Sequence, residues 1–318
     1  MRALARWDLD VVDVVPIKVR ENAVYAVQLR IGGRVALRVH RHGYRSDASL
    51  RSEFAWCTAL AEAGIDVPVV VRSRAGLPFE SVCVEDGPAR QVDVFEWIDG
   101  QQLGSAETGI DGDAGQIASS YTTIGELSAR MHNQSAAWNP PRAFVRHAWD
   151  LEGLMGEQPL WGCFWKLEAL SAAQRELFMC LRRRVASDLR DFGRTADRCG
   201  LIHADLVPEN VMVDGAGTRI IDFDDAGHGW HLFEIATSLY FIRREPYYEN
   251  ARDGLVAGYR RHRELSDAHL AFLPMFLAAR ASTYLGWLHT RRGEPAADEL
   301  TSVLIELAIP AAEDYLMA

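Results

Sequence analysis

The chain has 318 residues, 48% of them apolar and 25% charged, an ordinary globular composition with room for two lobes that each bury a core. Its 34 basic and 44 acidic residues leave a net charge of -10, a field that repels polyanions and argues against nonspecific binding to nucleic acid or an anionic membrane. Cys57, Cys83, Cys163, Cys180 and Cys199 are scattered without C-x-x-C spacing, the amino terminus carries Asp8, Asp10 and Asp13, and no apolar run is long enough to span a bilayer, so disulfides, a zinc site, a signal peptide and a membrane span are not expected and a cytoplasmic setting is.

In chain order, VYAVQLRI (24–31) and RVALRVH (34–40) read as strands joined at Gly32-Gly33. Ser46 is placed to cap a helix whose apolar positions are Leu50, Phe54, Cys57 and Ala61, and Gly64 stops it. VPVVVRS (67–73) and QVDVFEWI (91–98) extend the sheet. Near Asp99-Gly100 the character changes and helices dominate. Ile117, Tyr121, Ile124, Leu127 and Met131 mark one helical face; Leu177, Leu181, Val185 and Leu189 mark another, with Ser171 near its start. Arg182, Arg183 and Arg184 read as a solvated face of that helix. Pro274, Pro295 and Pro310 begin or interrupt helices in the tail. Amid the helices lies one strand island, NVMVD, a GAG turn, then RIIDF. The expected class is α+β, with a small β-rich lobe over residues 1–98 and a larger, mostly helical lobe over 99–318.

LIHADLVPEN (201–210) and IIDFDDAG (220–227) flank this hairpin. Asn210 precedes its first strand and Asp222 ends its second, so a tight hairpin would bring an amide and a carboxylate oxygen toward one hard cation such as Mg²⁺. Asp205, in the connecting loop, is placed to accept a proton from a hydroxyl, while His203 reads as a loop organiser.

These residues resemble the kinase motifs. His203-Ala204-Asp205-Leu206 through Asn210 matches H-R-D-L-x-x-x-N without the Arg, Asp222-Phe223-Asp224 echoes D-F-G, and Val35-Ala36-Leu37-Arg38 is V-A-I-K with Arg for Lys. Glu53 follows on a helix, and Phe95-Glu96-Trp97-Ile98 looks like an adenine-binding hinge. The small residue after His203 and the D-x-D pattern resemble the aminoglycoside phosphotransferase/choline kinase family. Glu21-Asn22-Ala23-Val24-Tyr25, where a glycine loop would stand, resembles type II homoserine kinases and bacterial stress-response kinases.

The resemblance implies a bilobal protein-kinase-like fold and an ATP-dependent phosphotransferase acting on a hydroxyl of a small molecule. Asp205 would be the base, and Asn210 and Asp222 the Mg²⁺ ligands. Arg38, paired with Glu53, would grip the ATP phosphates bidentately. Asn22 would lie beside the nucleotide, and the backbone of Glu96 and Ile98 would bind adenine. With two lysines in the chain, Lys18 and Lys166, Arg38 reads as a replacement within an arginine-biased composition. Val207 stands where the catalytic-loop Lys would be, leaving charge to be neutralised by metal or another Arg. Asp224 and Asp225 read as metal or substrate contacts or as turn residues, and Glu234 as a brace for the loop. His228, Trp230, Tyr284 and Trp287 are candidates for the acceptor pocket, against a plain core role. Clustered acids would suit an amine-bearing acceptor: an amino alcohol, amino acid or aminoglycoside.

Other classes stay open on sequence. A Ser/Thr protein kinase of the stress-response type fits the E-N-x-x-Y stretch, and a pseudokinase fits Arg38 and Val207. A phosphohydrolase fits D-F-D-D after a strand but leaves LIHADLVPEN unexplained. A monomer and a homodimer both fit the composition.

Overall fold

The computed structural model describes residues 3–19, 22–83, 87–105, 109–215 and 217–318. It divides into two compact units, one formed by Met1–Gln101, Asn139–Arg146 and Met212–Asp224, the other by Gln102–Trp138, His147–Val211 and Asp225–Ala318. A single boundary after residue 98 therefore does not describe the contacts. The hairpin expected as an island in the helical lobe belongs to the first unit because its strands pack there.

The first unit is built on β1 (Val11–Val19), β2 (Ala23–Leu29), β3 (Arg34–Val39), β4 (Phe79–Cys83) and β5 (Ala89–Glu96), an antiparallel sheet in the order β1-β2-β3-β5-β4. At the β2–β3 turn Gly32 donates to the Leu29 carbonyl and Leu29 to the Gly33 carbonyl, with φ of 88° and 82° at the two glycines, a conformation that side chains resist. Residues 67–73 are not a strand. Pro68 has no N–H to give, and the segment contributes Val71 N–H to Val94 O and Val69 O to Glu96 N–H before leaving the sheet. Alternation along β2, β3 and β5 sends Val27, Val35, Leu37, Val92 and Val94 to one face, where Trp7 and Leu4 close a core. On the other face lies α1 (Asp47–Glu62), capped by Ser46 Oγ on Ser49 N–H, with Phe54 stacked on Phe79 at 6.2 Å and tilted on Phe95 at 5.9 Å. Gly100 has φ 132°, and a Cβ there would stand 2.8 Å from the Val213 carbonyl, so glycine is required where the connector passes the hairpin.

Short strands β6 (Gln101–Gln102), β7 (Gly104–Ser105) and β8 (Gly109–Ile110) follow, then α2 (Ala114–Ala137), β9 (Ala148–Trp149), α3 (Leu151–Met155), α4 (Ala172–Phe192) and β10 (Cys199–Ile202). The hairpin is β11 (Val211–Asp214) and β12 (Gly217–Ile220), with Ala216 of its turn outside the described residues. After it come β13 (Gly227–Trp230), α5 (His231–Tyr240), α6 (Tyr248–Arg260), α7 (Asp267–Leu270), α8 (Leu273–Thr290) and α9 (Pro295–Met317). Asp113 and Ser171 start α2 and α4 with full capping boxes. Pro274 and Pro295 occupy first turns, where a missing N–H costs nothing, and Pro310 lies inside α9. The Arg182 side chain leaves the expected solvated face: it donates to Met155 O and covers the Trp165 ring at 4.1 Å.

In the second unit, α8 is buried along nearly its whole length and takes Arg280 and Tyr284 into the interior. Helices α2 and α6 meet backbone to backbone. A Cβ at Gly125 would stand 2.0 Å from Leu255 O, and one at Gly258 2.0 Å from Thr122 O. Gly258→Ala should therefore lower stability by about 3 kcal/mol, whereas Gly215→Ala, with nothing within 4 Å, should stay within about 0.5 kcal/mol of wild type, measured by urea unfolding.

Candidate active site

In the second unit the loop after β10 is set by a buried carboxylate. Glu234, in the first turn of α5, accepts the backbone N–H groups of His203 and Ala204, both at 2.7 Å. Burial pushes the Glu234 carboxyl up, against the pull of His203, the two N–H groups and Arg280. The His203 ring accepts the Asp205 N–H on Nδ1 at 3.2 Å, the loop-organising part expected of it. Between them Ala204 adopts φ 64°. Among the described residues only Ala204 and Asp222 combine a side chain with positive φ, and both lie in the two motif loops.

Asp205 emerges with its side chain 24% exposed and both oxygens oriented. Arg280 Nη2 donates to Oδ1 at 2.7 Å, and Asn210 Nδ2 donates to Oδ2 at 2.9 Å and to the Asp205 carbonyl at 2.8 Å. Because the Asn210 nitrogen is committed to Asp205, its Oδ1 is the atom left to offer a cation. Arg280 itself is 0% exposed; it donates to Ala204 O at 3.1 Å and to Tyr284 Oη at 2.7 Å, and lies over the rings of Trp161 and Tyr284.

In the first unit Arg38 does pair with Glu53, Nη2 to Oε1 at 2.7 Å, but Asp93 claims more of it. Asp93, facing Arg38 across β3 and β5, accepts from Nε at 3.1 Å and from Nη2 at 2.9 Å. Burial works against the Arg38 charge, but Asp93 and Glu53 outweigh it and hold the pKa well above its ordinary value. The bidentate edge is thus used within the protein, which corrects the expectation that it grips phosphate; Nη1, 3.8 Å from Asp222 Oδ1, is the remaining corner. Asp222 is turned outward, its side chain 48% exposed, whereas the two residues after it, Phe223, edge-on to Trp56, and Asp224, are buried.

Asp224 is not placed to meet substrate. It is 3% exposed, with Asn22 Nδ2 at 3.4 Å and Arg45 Nε at 3.4 Å. Burial would raise its carboxyl, but Arg45, Arg38, His40 and Arg146 bring it down to about 2. Asn22 accordingly faces Asp224, while Glu21 beside it lies outside the described residues. Arg146 ties the motif further, donating to the carbonyls of Phe223 and Asp224 and to Ser49 O. The Glu96 N–H is donated to Val69 O, which leaves the Glu96 carbonyl, rather than its amide, for any hinge contact.

Trp230 is 1% exposed and its indole donates to Gly193 O, a core role that removes it from the acceptor candidates. Tyr284 supports Arg280, Trp287 is 8% exposed, His228 is exposed on β13, and the Asp225 carbonyl accepts from Trp149 Nε1 and His147. Sequence reasoning missed Arg280, Asp93 and Arg146. The signal for the first two was present: a charge inside the apolar run Met275–Leu288, and an Asp at an inward strand position. No group of three or more His, Cys, Asp or Glu side chains suited to a metal occurs among the described residues.

A family model for phosphotransferase enzymes matches residues 13–269. The chain belongs to this family. Membership of the phosphotransferase family and similarity to proteins named as kinases make it an enzyme of the kinase type, and remove the phosphohydrolase alternative. The chain is 26% identical to amicoumacin kinase of Bacillus subtilis (strain 168) over 257 residues, 77% of this chain and 70% of that protein. It is 30% identical to the structure of a microcompartment-associated aminopropanol kinase, covering 99% of this chain and 96% of that one, with a TM-score of 0.85. It also shares its fold with amicoumacin kinase hAmiN solved with AMP-PNP, Ca²⁺ and Ami, at 23% identity over 98% of this chain and 92% of that one, with a TM-score of 0.78. The protein-kinase-like α+β class expected from the motifs is the class observed.

Behind Glu234 two buried histidines stack, His132 on His231 at 4.3 Å. Desolvation holds them neutral, His132 down to about 3 and His231 down to about 2. Protons then bind the unfolded chain and not the native one below pH 6.5, so stability falls as pH drops from 6.5 toward 3, by about 1.4 kcal/mol per pH unit for each ring. His231→Gln should be less steep than wild type between pH 6.5 and 5 in denaturant titrations.

Proposed function

We propose that this phosphotransferase moves the γ-phosphoryl group of ATP to the hydroxyl of a small, amine-bearing acceptor, with Mg²⁺ as the bound cation. The observation that carries the reading is Asp205: a partly exposed carboxylate fixed at both oxygens, on a backbone turn held by Glu234. Asp205 orients the acceptor hydroxyl and takes its proton as the acceptor oxygen bonds to the γ-phosphorus. The bond from that phosphorus to the β,γ-bridging oxygen breaks, and ADP leaves.

Asn210 and Asp222 offer an amide and a carboxylate oxygen, hard donors of the type Mg²⁺ takes, and the ion supplies charge neutralisation along the phosphates when bound. Arg38 meets the α/β-phosphates through Nη1 while Glu53 and Asp93 hold the rest of its guanidinium. The Glu96 carbonyl and the backbone of Ile98 receive adenine. An amino alcohol is the favoured acceptor class, supported by the 30% identity to an aminopropanol kinase along nearly the whole chain.

Asp205→Asn should reduce phosphoryl transfer by at least about a thousandfold while nucleotide affinity changes little, read from ADP release and calorimetry. Equal turnover by this variant and wild type would remove Asp205 as the base. Asp222→Ala should weaken ATP binding in the presence of Mg²⁺ and leave metal-free binding unchanged. A screen of aminopropanol, ethanolamine, homoserine and aminoglycosides for stimulated ADP release should give its largest response with an amino alcohol.

A further inference from the structure

Arg280 is costly to keep where it is. A fully buried guanidinium is seldom more stabilising than apolar side chains of the same volume, and its neighbours Trp161, Phe233 and Tyr284 would pack well against a methionine. Its hydrogen bonds nonetheless run to the catalytic loop and to the tyrosine that steadies it: Nη2 to Asp205 Oδ1, Nη1 to Ala204 O, and Nη2 to Tyr284 Oη. The Nε–H, also buried, has no hydrogen-bond partner, so the fork is aimed at the loop at the expense of its own satisfaction. Glu234 accepts the Ala204 N–H and Arg280 donates to the Ala204 carbonyl, so this left-handed residue is gripped on both sides by opposite charges.

From this geometry we infer that Arg280 is a positioning residue for phosphoryl transfer: delivered by α8, it holds the left-handed Ala204 turn and fixes Asp205 Oδ1 for the acceptor hydroxyl. It acts through Asp205, because its side chain has no exposed surface with which to touch a substrate. Val207 brings no charge to the loop, so the cation beside the base comes from a helix 75 residues further along the chain. Tyr284, one turn beyond Arg280, serves to aim the guanidinium and is not itself a substrate contact.

The inference rests on Asp205 being the base, and the experiment separates the two. ADP release with aminopropanol as acceptor is measured for wild type, D205N, R280M, R280K and Y284F, with ATP affinity by calorimetry and melting temperature for each. R280M should lose on the order of 100-fold in kcat, with acceptor KM and ATP affinity within about threefold of wild type. R280K restores one charged donor and should recover about tenfold of that loss, and Y284F should fall by about threefold to tenfold. A purely structural arginine would lower the melting temperature and leave kcat of the folded enzyme unchanged in R280M and R280K, and that result overturns the inference. Should R280M fail to fold, wild-type kcat in both R280K and Y284F overturns it equally. Wild-type turnover by D205N would instead remove the base, and the inference with it.

Discussion

The paired acceptance of two backbone N–H groups by Glu234 is the contact on which the loop carrying Asp205 depends. A buried carboxylate without partners would be protonated or expelled, and here its oxygens are each matched to a donor of the same turn. That match makes φ 64° at Ala204 tolerable, since left-handed backbone costs about 1–2 kcal/mol for a residue with a Cβ. The turn in turn decides where the Asp205 side chain leaves the backbone. His203, Arg280 and Asn210 then refine a direction that Glu234 has already imposed.

The first unit solves a related problem with different charges. An arginine at position 38 has more donors than a lysine, and an unpaired donor buried in a sheet is expensive. Asp93 on the adjacent strand absorbs that surplus, with His40 on its second side at 2.7 Å, and Glu53 takes the remaining proton of Nη2. The Arg-for-Lys exchange is therefore one half of a pair whose other half is an acidic residue in the strand that ends at Glu96. Arg45 and Arg146 play the corresponding part for Asp224 and the backbone around it, so the D-F-D segment is held by cations on both sides.

Legibility followed locality. Hairpins, capped helices and the order of the motifs depend on neighbours a few residues apart, and Ser46, Ser171 and the Gly32-Gly33 turn behaved as their chemistry requires. The segment around Val69 misled because apolar β-branched residues signal a strand while Pro68 denies it a regular ladder. Asp205, Asn210 and Asp222 stood out because their spacing within a short stretch is itself the signal. Arg280 and Asp93 lie 75 and 55 residues from the groups they serve, so only folding shows the pairing, though Arg280 stands out as a charge inside an apolar helix and Asp93 as an acid at a buried strand position. Trp230 shows the opposite error: nearness to a motif in sequence placed it beside the chemistry, and its indole was needed in the core.

The two left-handed residues, Ala204 and Asp222, sit under different constraints. Ala204 is 0% exposed, so a larger side chain would need both a strained backbone and space that Glu234, Arg280 and the packed core do not leave. Asp222 carries the same strain with its side chain in the open, where size is unrestricted and chemistry decides the residue. In each loop the backbone is bent against its preference so that a carboxylate leaves the fold while its neighbours stay inside. Burial selects the small residue at 204, and the need for an outward oxygen selects the acid at 222. The same distortion therefore constrains the two loops for opposite reasons, one steric and one chemical.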